Sequence, residues 1–154
     1  MDATMIDALG HIGAYSSLAF SAIGAAFATG VACAAAVGAW KKCYAQNKVA
    51  PFQLIIFAGS PISQAIYGMI LMFIINGKVA THCQSWATLL TVGVLSGIAL
   101  GITSYIQGVV AAATSDAFGE SGKGFVNFLM TIGIIETVSI FVMAFAIVLL
   151  ATVA

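Results

Sequence analysis

Residues 124–154 read GFVNFLMTIGIIETVSIFVMAFAIVLLATVA and hold a single charged side chain, Glu136. An α-helix rises about 1.5 Å per residue, so about 20 residues cross the hydrocarbon core of a bilayer. The segment is longer than that and strongly apolar. We therefore expect a membrane-spanning helix here, with Glu136 close to the middle of the bilayer.

Three further segments, 11–40, 50–77 and 79–115, contain no Asp, Glu, Lys or Arg at all. Each is long enough to cross the hydrocarbon core. Hydrocarbon offers no partner to backbone N–H and C=O groups, so a spanning segment of this kind must be helical. The four expected helices cover approximately residues 11–44, 52–77, 86–117 and 124–153.

The composition excludes two large classes of protein. Hydrophobic residues make up 62% of the chain and charged residues only 6%, whereas a soluble domain has about 25% charged residues. The formal net charge is zero, and no basic patch is long enough to hold a phosphate backbone. A soluble enzyme and a nucleic-acid-binding protein are therefore excluded. The expected fold class is an all-α membrane protein with one membrane domain, residues 1–154.

The lysines predict the orientation in the membrane. Lys41, Lys42 and Lys48 lie between the first and second helices, and Lys123 lies between the third and fourth; only Lys78 lies on the other side. Loops rich in lysine and arginine stay in the cytoplasm. We expect a multi-pass protein with the 1–2 and 3–4 loops in the cytoplasm and both termini outside it.

Small residues recur every fourth position in the first and third helices, for example at Gly24 and Ala28 and at Gly97 and Gly101. This spacing lets helix backbones approach closely in lipid. The second and fourth helices are rich in bulky side chains instead. Two such stripes exceed the needs of one four-helix monomer and favour an assembly, although a simple bundle is the alternative.

The two halves of the chain resemble each other. Residues 29–35 (TGVACAA) match residues 107–113 (QGVVAAA). The second and fourth helices can be aligned so that Gln64 falls opposite Glu136. Internal similarity of this kind is typical of a duplicated unit. The expected organisation is two duplicated helical hairpins, approximately residues 1–77 and 78–154.

Glu136 carries the chemistry of this sequence. A charged carboxylate at the bilayer centre costs about 2.5–3.5 kcal/mol on insertion scales. No lysine or arginine lies within any predicted span to pair with it. Its counter-charge is then a bound ion, a proton, or a residue of another protein. A permanently protonated packing group is the alternative.

Polar residues of the other spans can converge at the same depth. Ser63, Gln64 and Tyr67 share one face of the second helix, and Gln107 lies in the middle of the third. Pro61 removes a helical hydrogen bond, so we expect free carbonyls nearby. A set of oxygen donors of this kind suits a hard cation.

The remaining motifs predict no catalytic or redox site. Cys33, Cys43 and Cys83 form no CxxC pair, so we expect three free thiols. Residues 119–124 (GESGKG) lack the Ser or Thr of a phosphate-binding loop, and no strand precedes them. We expect no nucleotide site and no organic cofactor.

Four features together resemble the proteolipid (K or c) subunit of V-type and A-type rotary ATPases. They are the small-residue helices, the run PISQAIYG at 61–68, Gln107-Gly108, and Ile135-Glu136-Thr137. The resemblance covers essentially the whole chain. It implies a duplicated four-helix subunit that assembles with copies of itself into a rotor ring surrounded by membrane lipid.

The resemblance also implies partners. A stator membrane subunit supplies an arginine that meets the carboxylate, and central-stalk subunits bind at the 1–2 and 3–4 loops. ATP is hydrolysed on other, soluble subunits, so this chain would be a non-catalytic part of the complex.

For sodium-transporting members the resemblance implies a specific set of ligands. Tyr67 and Thr137 would help to hold the glutamate, and Pro61 would stand beside the coordinating carbonyl. Ser63 replaces the threonine of that pattern and keeps its hydroxyl. The ion would be held by Glu136, Gln64, Gln107, the hydroxyl of Ser63 and the backbone carbonyl of Ser60.

Sodium is the expected ion and the proton is the alternative. A proton requires only the carboxyl group of Glu136. Buried amides without partners would each cost about 1–3 kcal/mol, so Gln64 and Gln107 are expected to require a cation to coordinate. In a ring that carries protons, the two amides would hydrogen-bond Glu136 instead.

Two other classes of protein remain open. One is a small four-helix exporter of hydrophobic cations, which would also use a single membrane glutamate. It is disfavoured because the predicted site consists of glutamines and a hydroxyl and not of aromatic rings. The other is a structural or fusion-promoting membrane channel protein without ATPase partners.

Overall fold

Four long helices make up the chain in a computed structural model that describes residues 2–81 and 85–153. Helix accounts for 89% of the structure, and the described residues contain no strand. All four helices are long and apolar enough to cross a membrane, which confirms the expected all-α membrane fold. They are α1 (Ala3–Ala45), α2 (Leu54–Ala80), α3 (Trp86–Ser121) and α4 (Phe125–Ala151). Of the three cysteines, Cys83 lies outside the described residues.

The helices extend beyond the predicted spans. Helix α1 begins at Ala3, not at residue 11, and its 43 residues reach about 65 Å at 1.5 Å per residue. Asp7 lies inside it. A charged side chain marks the end of an apolar segment, but it does not interrupt the hydrogen bonds of a helix. Helix α3 continues to Ser121, past residue 117, and stops where Gly122 adopts a left-handed conformation at φ 64°.

Helix α2 changes its geometry at Pro61. Its α-helical part stops at Gly59, a 3-10 turn covers Ser60–Ile62, and the α-helix resumes at Ser63. Proline has no N–H to offer the carbonyl of Phe57. That carbonyl accepts from the backbone N–H of Ser60 and from the Ser60 hydroxyl at 2.9 Å. A carbonyl near Pro61 thus leaves the α-helical hydrogen-bond pattern, as expected, but it is not left without a partner, because both donors of Ser60 bond to it.

Helices α1 and α3 pack backbone against backbone. A Cβ atom at Gly24 would overlap with the backbone of Gly101, and one at Gly93 would overlap with the backbone of Gly13. The small residues predicted to allow close approach do so here. A second row of small residues on α1, spaced four apart at Gly30, Ala34 and Gly38, is different, because Gly30 and Gly38 face open space.

Two apolar clusters bracket the middle of the bundle. At the lysine-rich end, which carries Lys41, Lys42, Lys48 and Lys123, the ring of Phe57 stacks on that of Phe125 with centroids 5.3 Å apart. At the opposite end, a second cluster includes Leu71, Ile75, Leu89, Leu100 and Leu150, all buried. The buried polar side chains Gln64 of α2, Gln107 of α3 and Ser139 of α4 lie between these clusters.

The orientation can be tested with single cysteines placed in the two loops. Val49 is 93% exposed in the loop between α1 and α2, and Thr81 is exposed just after α2. In a variant lacking Cys33, Cys43 and Cys83, a membrane-impermeant thiol reagent should label Val49→Cys from the cytoplasmic side only. It should label Thr81→Cys from outside only. The reverse pattern would contradict the lysine argument.

Candidate ion-binding site

Glu136 is held by a tyrosine from a neighbouring helix. The Tyr67 hydroxyl of α2 donates to the Glu136 carboxylate of α4 at an O···O distance of 2.8 Å. Both side chains are half-buried. Within residues 2–81 and 85–153, Glu136 makes no ion pair; the ion pairs of Lys42 with Asp116 and Glu120 lie at the lysine-rich end. The partner of Glu136 is thus a neutral hydrogen-bond donor.

Thr137 does not share this role. Its hydroxyl donates to the Ile134 carbonyl of its own helix at 2.6 Å, and the residue is exposed. Consecutive residues of a helix do not face the same way, so Thr137 turns outward when Glu136 turns toward Tyr67. Within the described residues the Thr137 hydroxyl therefore bonds to its own helix and not to Glu136, and its supporting role stays a prediction.

Gln64 and Gln107 are fully buried and bond to each other. The Gln64 amide nitrogen donates to the Gln107 amide oxygen and to the Ser139 hydroxyl at 3.2 Å. The Gln107 nitrogen reaches the Ile132 carbonyl at 3.4 Å. The two amides therefore have partners without a cation and without Glu136, contrary to the expectation that they need one or the other.

Ser63 and Ser60 continue this network toward the outside. The Ser63 hydroxyl lies 3.1 Å from the Ser60 carbonyl oxygen and 3.2 Å from the Gln64 amide oxygen. Hydrogen bonds thus connect Gln107, Gln64, Ser63 and Ser60 in one continuous group. Four of the five predicted ligands belong to it, and the fifth, Glu136, belongs to the pair with Tyr67.

A groove between α2 and α4 joins the two groups. Ser60, Ser63 and Glu136 all line it, and its other walls are apolar. The groove is open at the outer surface of the bundle. The walls are formed by Ile55, Ile56, Gly59, Ile62, Ile66, Leu129, Ile132 and Gly133.

The donors at this groove retain capacity for a cation. Amide and backbone carbonyl oxygens each have two lone pairs, and a hydroxyl oxygen keeps its lone pairs when it donates its proton. The oxygens of Gln64 and Ser63 can therefore accept a cation while they keep the hydrogen bonds described above. The Ser60 carbonyl already accepts from both the backbone N–H and the hydroxyl of Ser63, so it would have to give up one of these bonds to bind a cation. The donor set suits a hard cation with oxygen ligands.

Sequence reasoning missed three polar residues of this region. Ser139 accepts from Gln64 and donates to Thr103 at 2.8 Å, and Ser104 donates to the Pro61 carbonyl at 2.8 Å. Helical spacing could have revealed all three: Ser139 follows Glu136 by three positions, and Ser104 and Thr103 precede Gln107 by three and four.

Comparison with models of protein families and with curated protein sequences gives no match to this chain.

Tyr67→Phe should make Glu136 more reactive toward a hydrophobic carbodiimide, which attacks protonated carboxyl groups in apolar surroundings. The substitution removes only the hydroxyl that holds the carboxylate against α2. We expect labelling to be about threefold faster or more, in line with the usual worth of one hydrogen bond.

Tyr105→Phe is the matched control, since Tyr105 is 49% exposed and lines a different, apolar surface between α1 and α3. Equal labelling rates in both variants would contradict a specific role for Tyr67.

Proposed function

We propose that this chain is the ion-translocating subunit of a membrane rotor ring, of the proteolipid type found in V-type and A-type rotary ATPases. The observation that carries the proposal is the placement of Glu136. It is a half-buried carboxylate in an apolar span, held by a tyrosine, beside a groove that offers further oxygen donors. Such a group can bind a cation and release it.

The exposure of the groove favours assembly with further copies of the chain. A charged carboxylate that faced lipid would be costly, so the open side of the groove requires a cover. The open glycines Gly30 and Gly38 would allow a neighbouring helix to approach closely. In a ring, each subunit would cover the groove of the next.

The proposed mechanism follows from the charge of Glu136. With a cation bound, the site is neutral and can pass through lipid as the ring turns. At the stator, an arginine of another subunit would replace the cation as counter-charge and release it. Moving one charge against 100 mV costs about 2.3 kcal/mol, so the energy would come from ATP hydrolysis on soluble subunits.

Contacts with the soluble stalk would form at the lysine-rich end. The loop after α1 carries Lys48, and the turn between α3 and α4 carries Lys123. Lys42 lies between Asp116 and Glu120 at 2.8 and 3.1 Å. These exposed ion pairs connect α1 to α3, and they would present a fixed arrangement of charges to a stalk subunit.

Sodium is the proposed cargo because Ser60 and Ser63 line one groove with Glu136, and the Gln64 amide oxygen lies 3.2 Å behind the Ser63 hydroxyl. The proton is the second candidate, and a specific observation favours it: Gln64 and Gln107 are satisfied within the chain. A proton-carrying site would leave that pairing unchanged, whereas a sodium site would use the remaining lone pairs of the amide oxygens.

Glu136→Gln tests the role of the carboxylate. The substitution keeps the size of the side chain and removes its charge, so ion transport by the whole complex should be lost while the ring still assembles. Asp2→Asn is the control, because it also neutralises a carboxylate and Asp2 lies exposed before α1 with no side-chain cap hydrogen bond. A Glu136→Gln complex that transports ions at the wild-type rate would refute the proposal.

Protection from carbodiimide labelling tests the choice of ion. Sodium bound at Glu136 excludes the proton that the reaction requires. Labelling of the isolated ring at fixed pH should therefore slow in millimolar NaCl and not in KCl. A labelling rate that does not change with NaCl concentration would indicate that the site carries protons.

A further inference from the structure

Two hydrogen-bonded hydroxyl groups, those of Ser139 and Thr103, lie behind the candidate ligands. The Ser139 hydroxyl of α4 donates to the Thr103 hydroxyl of α3 at 2.8 Å. Thr103 in turn donates to the carbonyls of Ala99 and Leu100 at 3.0 Å. Ser139 also accepts from the Gln64 amide nitrogen at 3.2 Å. Ser139 is fully buried, and neither hydroxyl lines the groove.

The backbone carbonyls of Ala99 and Leu100 determine which hydroxyl donates and which accepts in these hydrogen bonds. A backbone carbonyl can only accept, so the single proton of Thr103 points to its own helix. The Thr103 oxygen is then left to accept, and Ser139 must donate to it. The Ser139 oxygen in turn must accept, and only the nitrogen side of the Gln64 amide can donate.

The other side of Gln64 gives the same orientation. The Ile132 carbonyl can only accept, so it takes the nitrogen of Gln107 and turns the Gln107 oxygen toward Gln64. Both N–H groups of Gln64 are thereby used, one by Ser139 and one by Gln107. The Gln64 oxygen is left facing Ser63, which lines the groove together with Glu136.

We propose that Ser139 and Thr103 are positioning residues that hold the Gln64 amide with its oxygen toward the cation site. A flipped amide would present N–H donors to the groove, and donors repel a cation. The inference rests on the proposed function, because it assigns these hydroxyls a part in cation affinity. They would act only through Gln64, without contact with the ion.

Thr103→Val is the decisive variant. It keeps the shape of the side chain and removes the hydroxyl. The proton of Ser139 is then free to point at Gln64, so the amide loses one of the two contacts that fix its orientation and keeps only the contact with Gln107. The NaCl concentration that halves carbodiimide labelling of Glu136 should rise about three- to tenfold, the usual worth of one hydrogen bond. Ser139→Ala should raise it similarly, because the amide nitrogen loses its acceptor.

Two variants serve as controls for the NaCl measurement. Thr103→Ser keeps the hydroxyl and should protect like the wild type. Ser21→Ala removes a buried hydroxyl that bonds to the Ser17 carbonyl and is not connected to Ser139 or Thr103. It should also leave the NaCl concentration for half-protection unchanged. The labelling rate without NaCl should be the same in all variants. Wild-type protection in Thr103→Val, or an equal loss in Thr103→Ser, would overturn the proposal.

A second measurement keeps the inference separate from the choice of ion. In rings containing ¹⁵N-glutamine, the side-chain amide resonance of Gln64 can be assigned by its disappearance in Gln64→Glu. Thr103→Val and Ser139→Ala should shift that resonance, and Thr103→Ser should not. If NaCl fails to protect even the wild type, sodium transport is refuted while this result still decides the orientation; an unshifted resonance overturns it.

Discussion

Hydrocarbon provides no hydrogen-bond partner, and this constraint governs the whole chain. It requires helices for the backbone, and it also governs the interruption at Pro61. The Phe57 carbonyl, which loses its α-helical N–H, accepts from the backbone N–H and the hydroxyl of Ser60. The Ser60 carbonyl likewise accepts from the backbone N–H and the hydroxyl of Ser63. The same requirement explains why Gln64 and Gln107 bond to each other in the middle of the bundle.

The polar network depends on a rigid frame around it. Helices α1 and α3 touch at their backbones near Gly24 and Gly101, which fixes the helix that carries Gln107. The aromatic cluster around Phe57 fixes α2 against α3 and α4 on one side of the network. Aliphatic packing fixes the other side. Apolar contacts thus set the distances, and hydrogen bonds set the orientations.

The number and type of helices could be predicted from sequence, because each apolar stretch between charged residues is long enough to cross the hydrocarbon core of a bilayer as a helix. Helix ends could not, since Asp7 ends the apolar span but not the helix. The grouping of Gln64, Ser63 and Ser60 follows from their neighbouring positions on α2. The pairing of Gln64 with Gln107 and Ser139 depends on how three helices rotate about their axes, which no single-helix pattern records.

Two diagonal hydrogen bonds join α2 to α4: Tyr67 reaches Glu136, and Gln64 reaches Ser139. The acid meets a long phenol, whereas the amide meets a short hydroxyl that already donates to Thr103. A carboxylate introduced at position 64 would therefore find no ready donor at Ser139. In the proposed role, a single substitution at position 64 would therefore not add a second ion per subunit. A change in the number of ions carried would require coordinated substitutions on α2, α3 and α4, which carry Gln64, Thr103 and Ser139.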